Sequence, residues 1–415
     1  MLPALQAKFQ VVKLEELGGY SEPAPNPTFS PAGLLDNSFQ TGLEKYLEDR
    51  IGFRPWMIRL RNQLAYSAFG LGRANNTVLG QDDILFDGNA IDTYLGKNYV
   101  GEQEVDQNVR HFKDVQDTLA SHGTLLLFAI APGKADVYQN KWPAHYRQLP
   151  RRRSNYTAYT EKMRAAGINL LDFGALFRQW KDTSAYPVFP RGGIHWSLWG
   201  RDLAVDTLLR YMRQRGRLAI PECRITSREF STEPRETDND IVKALNLMQE
   251  PAAFRMAYPH LEFDSLKPGQ IKPNLLLVGD SFGYGLLPYL PIIFSPESRF
   301  WYYNNEVAWA GTGSFPEDKQ VGNLDKRAQL KGRDVVLVLF TEPNLNVFDQ
   351  GFANTLYQIY HPYTEADNAR LKEIQQQMQG DTAIANRIWR QSYKDNVAPE
   401  FIFYREARAI YDKGR

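Results

Sequence analysis

Five short runs along the chain are almost wholly apolar: "TLLLFAIAP" from Thr124, "INLLDF" from Ile168, "NLLLVGDS" from Asn274, "RFWYY" from Arg299 and "DVVLVLF" from Asp334. Continuous apolar stretches rich in Val, Leu and Ile predict strands covered on both faces. Between several of them the apolar positions return every third or fourth residue, as in "VDQNVRHFKDVQDTLASHG", "YTAYTEKMRAAG" and "SLWGRDLAVDTLLRYMRQRG". That period predicts helices. Upstream, "FQTGLEKYLEDRIGFRPWMIRLRNQLAYSAF" has helical spacing interrupted near Gly52 and Pro55, which reads as two helices. Strands alternating with helices imply an α/β, three-layer architecture with a mainly parallel sheet, in which ligands sit beyond the carboxyl ends of the strands.

The pattern also divides the chain. Residues 1–37, rich in Pro, Gly and Ser, read as an extended lead-in; 38–350 read as the main domain; 351–415 read as a C-terminal helical segment packed on it, clearest in "TEADNARLKEIQQQMQG". Within the domain, a stretch near 215–273 loses its periodicity, turns polar, as in "STEPRETDNDIV", and reads as an insertion carried by the core. There is no internal repeat.

Composition narrows the function classes. With 49 Lys and Arg against 48 Asp and Glu, the chain as a whole has no field that would gather a polyanion, so nucleic acid is not the expected partner. The basic run Arg151 to Arg153 reads as a solvated loop, with an anionic glycan as its alternative ligand. A single cysteine, Cys223, excludes an internal disulfide and a cysteine metal cluster. The six histidines show no close ligand spacing, so chemistry without metal or other cofactor is expected. No apolar run approaches the roughly 20 residues of a membrane helix, and no complete signal peptide is visible. The opening "MLPALQAKF" reads as the scrap that follows a membrane anchor.

Candidate chemistry gathers at the predicted strand ends. Ser281, in "GDSFG", ends an apolar strand. It is either a nucleophile exposed at the sheet edge, with following backbone N–H groups to hold an oxyanion and Gly283 and Gly285 to admit substrate, or part of a plain tight turn. His195, in "GGIHWSLWG", precedes a helix for which Ser197 suits the N-cap. It is either a general base leaning over a strand end or a ring packed on Trp196 or Trp199. "LFTEPNL" ends a third strand with Glu342 and Asn344. Asn344 is an oxyanion donor or a turn cap, and Glu342 either orients His195 or makes a surface ion pair. Lys134, Tyr138, Trp142 and His145 in "APGKADVYQNKWPAHY" suit a polar groove for sugar hydroxyls or carboxylates, as does the aromatic run around Tyr303; ordinary loop packing is the alternative for both.

"GDSFG", "GIHW" and "FTEPN" together resemble the SGNH (GDSL-type) esterase fold, in the arrangement of periplasmic alginate O-acetyltransferases of the AlgJ and AlgX type. In ordinary members the serine block comes first; here His195 precedes Ser281, the permuted order of the acetyltransferases. "YLEDRIGFRPWMIRLRNQL" followed by "VLGQDDILFDG" is similar to that family's entrance to the domain and "AIAPGKADVY" to its strand with a following lysine, so the resemblance spans roughly residues 39–344. It implies Ser281 as nucleophile, His195 as base, Asn344 as oxyanion-hole asparagine, and Gly311 or Gly313 as the oxyanion-hole glycine. It also implies a polysaccharide substrate, an extracytoplasmic, membrane-anchored setting, and acetyl delivered by a membrane-bound O-acyltransferase.

One position departs from the family pattern. An aspartate stands two residues before the histidine in the family motif, and this chain has Gly193. Without a carboxylate the imidazole lacks the partner that fixes its tautomer and stabilises its charged form, unless Glu342, Asp202 or a backbone carbonyl takes over. The expected activity is therefore O-acetyl transfer with weak turnover. The alternatives are a non-catalytic carbohydrate-binding or export accessory protein and an O-acetyl esterase.

Overall fold

The computed structural model describes residues 2–19, 23–74, 76–252, 254–311, 318–395 and 398–412. All five apolar runs form strands of one sheet. Among the described residues the strands in chain order are β1 Thr77–Leu79, β2 Leu85–Asp87, β3 Leu125–Ala131, β4 Leu170–Asp172, β5 Cys223–Ser231, β6 Met256–Phe263, β7 Leu275–Gly279, β8 Arg299–Tyr302, β9 Glu306–Trp309 and β10 Val335–Thr341. The main sheet has the order β4-β3-β10-β7-β8-β9, and every neighbouring pair is parallel except β8 with β9. Strand β9 adds only the short run Val307–Trp309 and was not among the expected strands.

Alternate residues of the central strands feed two separate cores. Leu127, Ala129, Leu277, Leu337 and Leu339 point to one face and meet Phe177, Leu208 and Met212 from the helices Phe173–Thr183 and Leu198–Arg215. Leu126, Phe128, Leu276, Val278, Val336 and Phe340 point to the other and meet Val109, Phe112, Tyr159 and Leu356 from the helices Glu102–Ser121, Asn155–Ala165 and Phe352–Tyr360. Both faces being covered is why these strands are apolar throughout, and the result is the three-layer α/β arrangement.

The register fixes where chemistry can occur. Gly279 of β7 lies opposite Leu339 of β10, and Ala131 of β3 opposite Thr341, so the segments beginning at Ser281, Glu342 and Gly133 leave the same carboxyl edge side by side.

The outlying segments differ from expectation in specific ways. The lead-in is not wholly extended: Leu2–Phe9 and Pro31–Leu35 are helical. The helices Ser38–Arg50 and Arg54–Phe69 are separated by Phe53 with φ 65°, and Pro55 enters the first turn of the second, where its missing N–H costs nothing. That second helix leaves Trp56, Met57, Leu60 and Leu64 about half exposed. The supposed irregular insertion is ordered: β5 and β6 form an antiparallel pair, and the short helix Asp240–Leu245 lies between them in sequence. Near the C-terminus, the helices Glu365–Gly380, Thr382–Asp395 and Pro399–Asp412 close a small core of their own around Ile374, Ile388 and Phe403.

Candidate active site

The stretch after β7 is organised by Asp280. Its carboxylate is fully buried, accepting from Phe282 N at 3.0 Å through Oδ1, and from Thr341 N, Thr341 Oγ1 and Asn344 Nδ2 at 2.7, 2.7 and 2.8 Å through Oδ2. Three of these charge-assisted hydrogen bonds tie the end of β7 to the end of β10, and the fourth, from Phe282 N, fixes the corner on which Ser281 stands. Ser281 itself is partly exposed.

His195 reaches this corner from a different segment. Its loop is pinned at one end by the buried Trp196, edge-on to Phe282 at 5.0 Å between ring centres, and by Ser197, which caps the following helix by accepting from Gly200 N at 3.0 Å and donates to Pro187 O at 2.7 Å. The structure brings His195 Nε2 to 2.9 Å from Ser281 Oγ, across 86 residues of sequence.

The far nitrogen of the ring has a carboxylate partner that sequence reasoning missed. His195 Nδ1 is 2.7 Å from Asp240 Oδ2, and Ile194 N donates to Asp240 Oδ1 at 2.8 Å, so both carboxylate oxygens are directed. Asp240 opens the short helix, whose Ile241 and Val242 N–H groups both donate to Gly192 O, at 3.0 and 3.2 Å. The helix and the histidine loop are therefore locked reciprocally. Behind them, buried Arg201 donates to both carboxylate oxygens of Glu236 at 3.2 and 3.0 Å, and Tyr258 OH donates to Asp238 Oδ2 at 2.7 Å, holding the approach to Asp240.

Gly193 is explained by this packing. A Cβ there would lie 2.2 Å from Thr237 O and 2.9 Å from Pro190 Cγ. The room that an aspartate at this position would need is taken by the backbone leading to Asp240, so the carboxylate is supplied from a distant segment and glycine is the residue that fits.

The other expected site residues are placed as follows. Neither suggested orienting group meets His195. Asp202 is buried and accepts from Tyr289 OH and Arg201 Nε, at 2.6 and 3.0 Å. Glu342 is buried against Asp136, and burial with that neighbouring negative charge holds its carboxyl well above the usual range. Asn344 is not aimed at an oxyanion: its Nδ2 donates to Asp280 and contacts Tyr303 OH at 3.4 Å. The backbone groups after the serine are also engaged, Phe282 N with Asp280 Oδ1 and Gly283 N with Asp280 O at 3.0 Å each. Gly311 has φ 62° and sits where a Cβ would strike Pro296 O, before the start of β8, which puts it at the amino edge, opposite Ser281. Gly313 lies outside the described residues. Gly283 and Gly285 back onto the Phe300 and Trp196 rings rather than facing a substrate. Tyr303 does stand at the carboxyl edge beside Asp280, and burial with that carboxylate pushes its phenol up to about 12, so it stays protonated.

Lys134 and Tyr138 line one cleft of about 390 Å³ with Phe189 and Arg191, but Trp142 and His145 are not part of it. Trp142 is buried against Tyr94, and Tyr138 packs on Phe189. Lys134 is buried beneath the histidine loop and donates to Arg191 O at 2.8 Å and Gly193 O at 2.7 Å. Burial pushes its amine down to about 7, against the pull of Asp240. Lys134→Met would leave Gly193 O without its donor and Arg191 O with Leu85 N alone, an expected loss of about 1–3 kcal/mol in chemical denaturation. Because the folded amine ionises below its ordinary value of 10.5, the folded state binds fewer protons than the unfolded between those limits. The stability advantage of wild type over Lys134→Met is therefore expected to grow between about pH 7 and pH 9. A difference that stays flat or shrinks would mean the amine is not desolvated.

Residues 77–290 of the chain match the family described as SGNH hydrolase-like domain, acetyltransferase AlgX. The probable alginate O-acetylase AlgJ of Pseudomonas aeruginosa is 30% identical over 212 residues, which are 50% of this chain and 49% of that protein. The AlgJ of Pseudomonas putida is 29% identical over 159 residues, 38% of each. The chain thus spans about half or less of the length of the curated relatives it matches. Among solved structures, the O-acetyltransferase domain of Pseudomonas putida AlgJ is 21% identical with a TM-score of 0.44, covering 68% of this chain and 99% of that one. Bacillus cereus PatB1 with a sulfonyl adduct is 12% identical with a TM-score of 0.42, covering 65% and 97%. The matched segment holds His195, Asp240 and Ser281 and takes in more than half of the chain, which belongs to the family of SGNH hydrolase-like domains described for the acetyltransferase AlgX.

Proposed function

We propose that the protein is an extracytoplasmic O-acetyltransferase that modifies a polysaccharide through an acetyl-serine intermediate. The observation that carries this reading is the continuous line from Ser281 Oγ to His195 Nε2 and from Nδ1 to Asp240 Oδ2, at 2.9 and 2.7 Å.

In the first half-reaction His195 Nε2 takes the proton of Ser281 as Oγ bonds to the acetyl carbonyl carbon. The donor's leaving group departs with that proton. In the second, a glycan hydroxyl gives its proton to His195 and attacks the acetyl-serine, and Ser281 Oγ leaves and is reprotonated. Asp240 holds the proton on Nδ1 and stabilises the transient imidazolium. With Asp240 in place, the absence of aspartate at Gly193 no longer favours a non-catalytic binder.

Membrane association is part of the proposal. Among the described residues no helix is long and apolar enough to cross a membrane. The exposed Trp56, Met57, Leu60 and Leu64 face suits contact with an apolar partner or surface, and a membrane-bound O-acyltransferase is the proposed source of acetyl.

Transfer and hydrolysis are separated by following acetylated glycan and free acetate independently, with wild type and Ser281→Ala given an activated acetyl ester. A transferase acetylates the glycan in a Ser281-dependent way. Acetate release indifferent to glycan makes the protein an esterase, and identical behaviour of the two proteins ends the covalent reading.

A further inference from the structure

Beside the Ser281–His195–Asp240 line opens a cleft of about 600 Å³, within the range of small-ligand sites. Its walls are the β1–β2 pair with the first turn of the helix Gly88–Tyr94 that follows it, the histidine loop, and the short helix that carries Asp240. Asp240 is itself a lining residue, so the cleft begins one imidazole ring away from the serine.

The lining is chemically one-sided. Asn76, Thr77 and Asn89 offer amide and hydroxyl groups, Asp87 and Asp240 are carboxylates, and Ile194, Ile241 and Ala244 are apolar. None of the eight is Lys, Arg or His; Arg73 and Lys243, the cationic neighbours in sequence, do not line it. Lys134, the cation under the histidine loop, is buried with its amine on two backbone carbonyls.

Sugar hydroxyls are well served by amides, a hydroxyl and carboxylate acceptors, and the apolar patch suits the C–H face of a pyranose ring. A uronate is not. Its carboxylate would lie beside Asp87 and Asp240 in a partly desolvated cleft that, among the described residues, no cation lines, the arrangement that suppresses a partner of like charge.

Building on the acetyltransferase reading, we propose that this cleft holds the acceptor and that the acceptor is a glycan without anionic groups. The specificity is a property of this chain's lining residues. It sets the protein apart from relatives whose names specify alginate.

The test measures binding separately from chemistry. Isothermal titration of wild type with an uncharged β-glucan oligosaccharide and with an oligomannuronate of equal length is expected to show at least about tenfold tighter binding of the uncharged chain, a difference of about 1.4 kcal/mol. Ala244→Lys brings a cation into the cleft, and Asp87→Asn removes a charge while keeping an N-cap acceptor for Asn89 N. Each should narrow the ratio. Equal or tighter binding of the uronate, binding of neither, or a ratio untouched by both substitutions overturns the assignment. Labelling of Ser281 by a serine-reactive phosphonate is read in parallel. Its failure would remove the acetyltransferase reading and leave the binding result standing by itself.

Discussion

Asp240→Asn is expected to lower Ser281-dependent acetyl turnover by about 10⁴-fold with the fold intact. The size of the effect follows from the two hydrogen bonds the side chain makes. Ile194 N donates to Oδ1, and this keeps an asparagine's carbonyl on the same side and turns its NH₂ toward His195 Nδ1. Nδ1 must then accept, the ring proton moves to Nε2, and Nε2 can no longer take the proton of Ser281. The Ile194 contact survives, so the melting curve should be nearly unmoved. Steady-state turnover of an activated acetyl ester, with thermal unfolding as the control, decides the matter. A loss below tenfold would show that Asp240 merely packs beside the ring.

Gly193→Asp, the substitution that rewrites the family's motif into this chain, is expected to damage the protein. The new Cβ would overlap Thr237 O, at 2.2 Å, and crowd Asp238 C at 3.0 Å. Relieving that overlap means pushing away the segment that delivers Asp240. A loss of about 3 kcal/mol in denaturant unfolding is expected, typical of forced overpacking, together with reduced turnover. Gains in both would mean that the loop has room, and that the carboxylate from the distant helix is a poor substitute for a local one.

The parts of this protein written in local pattern were legible, and the part that depends on a long-range return was not. The five buried strands and their helices follow from unbroken apolar runs and a 3.6-residue period, and their shared carboxyl edge predicts that Ser281 and His195 meet. Asp240 sits 45 residues from His195, in "STEPRETDNDIV", among Glu233, Glu236 and Asp238. Nothing in spacing or residue type distinguishes one of those four carboxylates. The choice is made by β5 pairing with β6 and by Gly192 O receiving the first N–H groups of the short helix. The burial of the Lys134 amine was missed for a related reason. A lysine after a strand end looks solvent-facing, and only the fold lays the Gly193 loop over it. Asn344 and Glu342 were correctly placed at a strand end, but each is engaged by a carboxyl group that the pattern gave no reason to expect there, Asp280 and Asp136.

Transfer by this route requires Ser281 to carry the acetyl group between donor and acceptor. The most direct measurement is acid-quenched peptide mapping by mass spectrometry after brief exposure to an activated acetyl ester without glycan. One acetyl group is expected on the peptide containing Ser281, absent from Ser281→Ala and discharged when an accepting glycan is added before the quench. Acetyl found elsewhere, or none on Ser281 while the glycan still becomes acetylated, would contradict the account.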